Sequence, residues 1–225
     1  MAIAHVQTNT DNIASGNSDT LAYSSNVTAG SLLVLGCRLG SSANDDVAVT
    51  DSLTQTWTRA ATRYDAGLGR VEIWYFANSA GGANTVTISF TGTATTIRWS
   101  IHEYSGAATS SVLDQTNTGQ GDASPSSGYD ITSSDDGLIF AMAGNNLTTT
   151  MTEEASYTLR AEVPAAPNTR YAVQDRIDAA GTYSGAFGGV GAGTSPRWMA
   201  CIASFLEAGA AAPSTAKFLP LLGVG

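Results

Sequence analysis

At 225 residues, with 43 % hydrophobic and only 13 % charged side chains, the chain can bury a large core. Its surface must then be built mostly from Ser, Thr, Asn, Gly and Ala. A net charge of −9, with ten basic residues scattered along the chain and Lys217 the one lysine, argues against nucleic acid as a partner, because no positive cluster exists to displace counterions.

Residues 3–8 form a candidate first strand, followed by a polar loop through Asp19 and a short apolar segment at 21–24. SLLVLGCRL, after Gly30, is apolar on both phases as far as Cys37, as expected of a central strand covered on both faces. Residues 47–51 alternate, DSLTQTW reads as a turn, and 57–63 as a further strand. The stretch 70–106 holds three alternating segments. Val71, Ile73 and Tyr75 oppose Arg70, Glu72 and Trp74; Val86, Ile88 and Phe90 oppose Thr85, Thr87 and Ser89; Ile97, Trp99 and Ile101 oppose Arg98, Ser100 and His102. Separated by small-residue breaks, they predict an antiparallel meander with one wet face. Beyond it, segments 112–118, 138–144, 157–163, 171–177, 182–187 and 197–206 complete the set, with long polar or glycine-rich loops at 119–128 and 188–196. Helical i, i+3, i+4 spacing is almost absent. The expected fold is all-β, an antiparallel β-sandwich in one domain, 1–207. A small-residue linker, 208–216, then leads to an apolar tail, 217–225.

Two blocks repeat an order of features. GSLLVLGCRLG, TWTRAAT, RVEIWYFANSAGG and IRWSIHEYSGA are followed by GLIFAMAGN, SYTLRAE, RYAVQDRIDAAGT and PRWMACIASFLEAGA. Arg98-Trp99 matches Arg197-Trp198, and Ala80-Gly81 matches Ala180-Gly181. The expectation is two similar half-units closing a jelly-roll-like sandwich with interleaved strands. The pattern of Thr-Ala-Gly before LLVL, then DSLTQTW, WYFANSAGGANTVTISF and IHEYSG, resembles β-sandwich domains of bacteriophage virion proteins and large bacterial surface proteins. The resemblance spans roughly residues 4–208 and implies a fold and a setting. It carries no catalytic residue.

Reactive groups are few. Of the two histidines, His102 falls on the expected wet face, and no G-x-S-x-G elbow presents a serine to it. Glu103 is in phase with Ile97, Trp99 and Ile101, so it points inward and needs hydrogen bonds from a neighbouring turn. Glycosidase chemistry needs two facing carboxylates, and Glu72 and Glu103 read as lying on opposite phases. Asp45-Asp46 and Asp135-Asp136 are turn pairs without calcium-loop spacing, and GGVGAG at 188–193 lacks a βαβ setting. Cys37 and Cys201 each sit in an apolar run and read as buried free thiols. No cofactor or metal is expected.

Two features suggest contact surfaces. Trp74, Phe76 and Arg70 share the less buried side of one strand, which suits a glycan-stacking platform, a subunit interface or simple cover by a neighbouring loop. The tail concentrates Phe218, Leu219, Leu221, Leu222 and Val224 in nine residues, which either fold back onto their own sandwich or, as the preferred reading, form an arm that docks on another subunit. The N-terminal MAIAHVQTNTDN shows no secretory signal, and no apolar run reaches the ~20 residues of a membrane helix. The expected function is therefore non-enzymatic: a virion structural protein, capsid-decorating or tail-associated, homo-oligomeric, made in the host cytoplasm. A carbohydrate-binding module for cell-surface adsorption is the alternative, and a hydrolase ranks third.

Overall fold

The computed structural model describes residues 2–40, 46–93, 95–147, 149–165, 169–190 and 198–209. The described chain is all-β. Its strands are β1 (Ala4–Gly16), β2 (Ser18–Ala22), β3 (Leu32–Leu39), β4 (Val47–Asp51), β5 (Thr58–Asp65), β6 (Gly69–Phe76), β7 (Thr85–Phe90) and β8 (Thr95–Ser105) in the first half. The second half holds β9 (Leu113–Gly121), β10 (Ile131–Ser133), β11 (Gly137–Asn145), β12 (Thr158–Ala165), β13 (Thr169–Asp178), β14 (Gly181–Tyr183) and β15 (Trp198–Leu206).

The strands form four antiparallel sheets stacked in layers. The first inner sheet has the order β1-β8-β3-β6-β5, and the second has β9-β15-β11-β13-β12. These are the same order, half for half. Outside the first lies a cover sheet, β2-β7-β4; outside the second lies the smaller pair β10-β14. Leu32, Val34, Val71 and Ile73 of the first inner sheet meet Phe140, Met142, Tyr171 and Val173 of the second in a central core. On the outer side, Leu33, Leu35, Trp99 and Ile101 pack under Val86 and Ile88. The second half buries Ile139, Ala141, Ala200 and Ile202 under Tyr129, Ile131, Tyr183 and Phe187.

The two similar half-units are real in topology, but they do not interleave. Among the described strands, every ladder joins partners from one half. Each half is its own sandwich, and the two stack face to face. Nor is 70–106 a meander. β6 pairs with β3 and β5, β7 crosses to the cover sheet beside β2 and β4, and β8 returns between β1 and β3. Only β7 keeps a partly wet face. β6 and β8 lie in a layer covered on both sides, so their polar faces must be satisfied inside the protein.

Rung by rung, the halves match with one slip. Trp99 lies opposite Cys37, which lies opposite Glu72; Trp198 lies opposite Asn145, which lies opposite Arg170. Anchored on the two tryptophans, Gly36 corresponds to Gly144, and Arg170 falls on the rung of Glu72 rather than of Arg70. The segment expected as a polar loop before Asp19 is the second part of β1, a long edge strand on β8 whose side chains alternate toward solvent.

Candidate functional site

The expected platform is not open. On β6, Arg70 and Trp74 are 4 % and 9 % exposed and Glu72 is fully buried, while Phe76 is half-buried. The Glu72 carboxylate organises the group. It accepts from Trp74 Nε1 at 2.7 Å, Thr62 Oγ1 at 3.0 Å, Arg70 Nη1 at 3.1 Å and Arg59 Nη1 at 3.3 Å. Arg59 lies over the Trp74 ring and Arg70 over the Tyr64 ring. The cause is the layer order: this face of β6 turns toward the cover-sheet side, so its polar groups pair with one another. Of the three readings of this face, platform, interface or cover by neighbouring structure, the enclosure of Arg70, Glu72 and Trp74 agrees with cover.

Glu103 is enclosed as expected. Its carboxylate accepts from Gln7 Nε2 at 2.6 Å, Thr28 N at 2.7 Å and Ser31 Oγ at 2.8 Å, so it clamps the turn that leads into β3. The reading of Glu72 and Glu103 on opposite phases is corrected. Through β3, Leu33 faces Glu103 and Cys37 faces Glu72, which places both carboxylates on one face, four residues apart along β3. With ~3.4 Å per residue and ~4.8 Å per strand spacing they are roughly 17 Å apart, beyond the ~9.5 Å limit of glycosidase pairs.

His102 is likewise not on a wet face. It is fully buried between the inner sheets and belongs to a chain of hydrogen bonds. His5 Nε2 meets Thr8 Oγ1 at 2.7 Å, Thr8 Oγ1 meets His102 Nδ1 at 2.9 Å, His102 Nε2 meets Ser100 Oγ at 2.7 Å, and Ser100 Oγ meets the Tyr171 hydroxyl at 2.7 Å. One assignment satisfies every group: Tyr171 donates to Ser100, Ser100 to His102, His102 Nδ1–H to Thr8, and Thr8 to His5. Burial, with His5 and Arg160 nearby, holds the His102 imidazolium well below its ordinary range, so the ring stays neutral. Burial also lowers His5. Beside this chain, the Tyr104 hydroxyl donates to Asp175 at 2.6 Å, and Arg160 Nε donates to the same carboxylate at 2.9 Å. The Ser100–His102 pair has the contact of a nucleophile and base, yet both are fully buried and the serine oxygen is engaged by Tyr171. The network fastens the two halves.

Cys37 and Cys201 are buried free thiols, and burial raises both, holding them protonated. Among the described residues, no cluster of three or more His, Cys, Asp or Glu is placed to hold a metal. Asp45, Arg197 and the arm residues Phe218, Leu219, Leu221, Leu222 and Val224 lie outside the described residues. No family model, curated protein or solved structure matches the chain.

Sequence reasoning missed one pair. Arg38 of β3 and Arg98 of β8 are direct cross-strand partners on the central face, 1 % and 2 % exposed. Alternation in β8 marked Arg98 as solvent-facing, and Arg38 at the end of an apolar run gave no separate signal.

Proposed function

We propose that the chain is a non-enzymatic structural subunit of a repeated assembly in a bacteriophage particle, each half a jelly-roll-like unit. The observation that supports this reading most is the use of the reactive groups. His102, Ser100, Tyr171, Tyr104 and Asp175 are consumed in joining two sandwiches into one body, and Glu72 and Glu103 in fixing their own sheet. The chain invests its polar chemistry in rigidity. The inner sheets also end in four edge strands, β1, β5, β9 and β12. Unpaired edges are templates for strand addition, and the apolar tail 217–225 of a neighbouring copy supplies a strand-forming segment on either side of Pro220. The carbohydrate-binding alternative needs an open aromatic face, which the enclosed Trp74 does not offer.

Sedimentation velocity and negative-stain microscopy of the full chain and of a chain lacking 217–225 test the proposal. The full chain forms ordered oligomers, and the shortened chain keeps the same melting transition but stays monomeric. A full chain that is monomeric at every concentration, or a shortened chain that assembles equally well, overturns it.

A further inference from the structure

The chain uses its arginines against acids almost everywhere. Arg59 and Arg70 meet Glu72, Arg160 meets Asp175, Arg170 meets Glu162, and Arg176 meets Asp178. Arg63 donates to the neutral Gln120. Arg38 and Arg98 differ from all of these. They stand side by side in the central layer, where like charges on opposed rungs repel, and no acid among the described residues pairs with either. Arg38 Nη2 donates to the Leu68 carbonyl at 2.8 Å and to Asn146 Oδ1 at 2.5 Å. The Nε and Nη1 groups of both arginines are buried with no hydrogen-bond partner. Burial lowers Arg38 to about 9 and Arg98 to about 10, so both remain charged at neutral pH. Two buried guanidinium groups with no acid partner among the described residues are costly.

Arg38 forms one wall of a cleft of about 460 Å³ at the end of the central layer. The remaining lining is neutral and mostly small, and includes Gly40, Gly67, Gly69, Thr95, Thr96 and Asn146. Glycine is required at position 69, and position 40 is tight. Gly69 has φ +97, and a Cβ there would lie 2.1 Å from the Leu39 carbonyl oxygen; one on Gly40 would lie 2.7 Å from Thr95 Oγ1. Asp65, two residues before Gly67 of the lining, accepts at its Oδ1 from the backbone N–H of Gly67 and Leu68 inside the β5–β6 turn.

We infer that this cleft binds a small oxyanion, a carboxylate or phosphate group carried on a body no larger than a monosaccharide. Arg38 lines the cleft and Arg98 stands beside it on the next strand, two cations that no acid among the described residues offsets, and Thr95, Thr96 and glycine backbone line the same cleft. The site is independent of the assembly role proposed above.

The test is calorimetric titration of the full chain with inorganic phosphate and, separately, with glucuronate, in a low-salt buffer without competing anions. Saturable binding of either is expected, with a rise in melting temperature and weakening by added salt. Binding of one probe and not the other assigns phosphate or carboxylate as the preferred group. Thr95→Asp places a carboxylate at the rim without touching the core. It should preserve the melting transition and weaken binding about tenfold or more. Arg38→Met should abolish binding. The inference fails if neither probe binds saturably, or if binding survives both substitutions. It also fails if Arg38→Met stabilises a chain that binds neither probe, since the pair would then be only a structural cost.

Discussion

The two halves share a strand order and fill it with opposite distributions of volume. In the first half the large side chains stand on the inner sheet, with Leu33, Leu35, Trp99 and Ile101 under the β-branched Val47, Val49, Val86 and Ile88 of the cover. In the second half the inner sheet presents Ala141, Ala143, Ala172 and Ala200, and the bulk comes from the cover as Tyr129, Tyr157, Tyr183 and Phe187. The difference shows that the architecture needs a filled layer and does not prescribe which side fills it. It also explains the unequal covers. The four alanines, set beside Ile139 and Ile202, leave room for aromatic rings on short or irregular segments, and their hydroxyls bond to backbone carbonyls, Tyr157 to Ser184 and Tyr129 to Gly185. Large inner side chains need a regular three-stranded sheet above them.

Trp99 and Trp198 do not follow this reversal, since both are large, inner-sheet and buried. Trp99 Nε1 donates to Asp19 and Trp198 Nε1 to the Ala123 carbonyl, each tying its sheet to the cover side. Trp99→Ala and Trp198→Ala should therefore each lower unfolding free energy by ~3–5 kcal/mol in urea denaturation. A silent substitution at one position beside a severe one at the other would end the equivalence of the halves.

A smaller effect probes the layer that the halves share. Gly36 of β3 faces Tyr171 of β13 so closely that a Cβ would sit 2.4 Å from the phenolic oxygen. Gly36→Ala should cost roughly 1–3 kcal/mol, the range for overpacking a filled core. In a Tyr171→Phe background, which removes that oxygen, the added cost of Gly36→Ala should shrink. Simple additivity of the two changes would show that this contact does not set the spacing.

Most of the fold was legible because alternation and apolar runs report burial strand by strand. Segments 47–51, 70–76, 85–90 and 171–177 fall on strands of the structure, and the repeated order of features foretold two halves. What was not legible is which layer a strand joins. β6, β7 and β8 look alike in sequence, but β7 crosses to the cover, and only long-range pairing decides that. For the same reason the polar phases of β6 and β8 read as wet. Arg70, Glu72, Ser100 and His102 are hydrophilic by type and buried by mutual satisfaction, which periodicity in one strand cannot register. Arg38 was hidden for the converse reason, as a charge ending an apolar run.

The smallest expected effect concerns pH and the asymmetric network at the layer edge. His102 is held neutral when folded, whereas the unfolded chain takes up its proton near the ordinary value of 6.5. The folded pKa is the lower of the two, so unfolding binds a proton and stability falls as pH drops from about 6.5 toward the folded value. His5 contributes in the same direction. Asp51 and Asp114, lowered from 3.8 when folded, lose their contribution only in more acidic solution. Urea midpoints between pH 7 and 5 should decline in the native chain and decline less in His102→Gln. An unchanged slope would remove His102 from the network's titration.

The two sandwiches behave as one body, fastened by a central core and by the chain from His5 to Tyr171. Incorporating fluorotryptophan labels Trp57, Trp74 and Trp99 in the first half and Trp198 in the second, so fluorine NMR across a urea titration follows both halves at once. A shared midpoint for all four resonances is the predicted result. Loss of the Trp198 signal at a urea concentration where the other three remain native would contradict it.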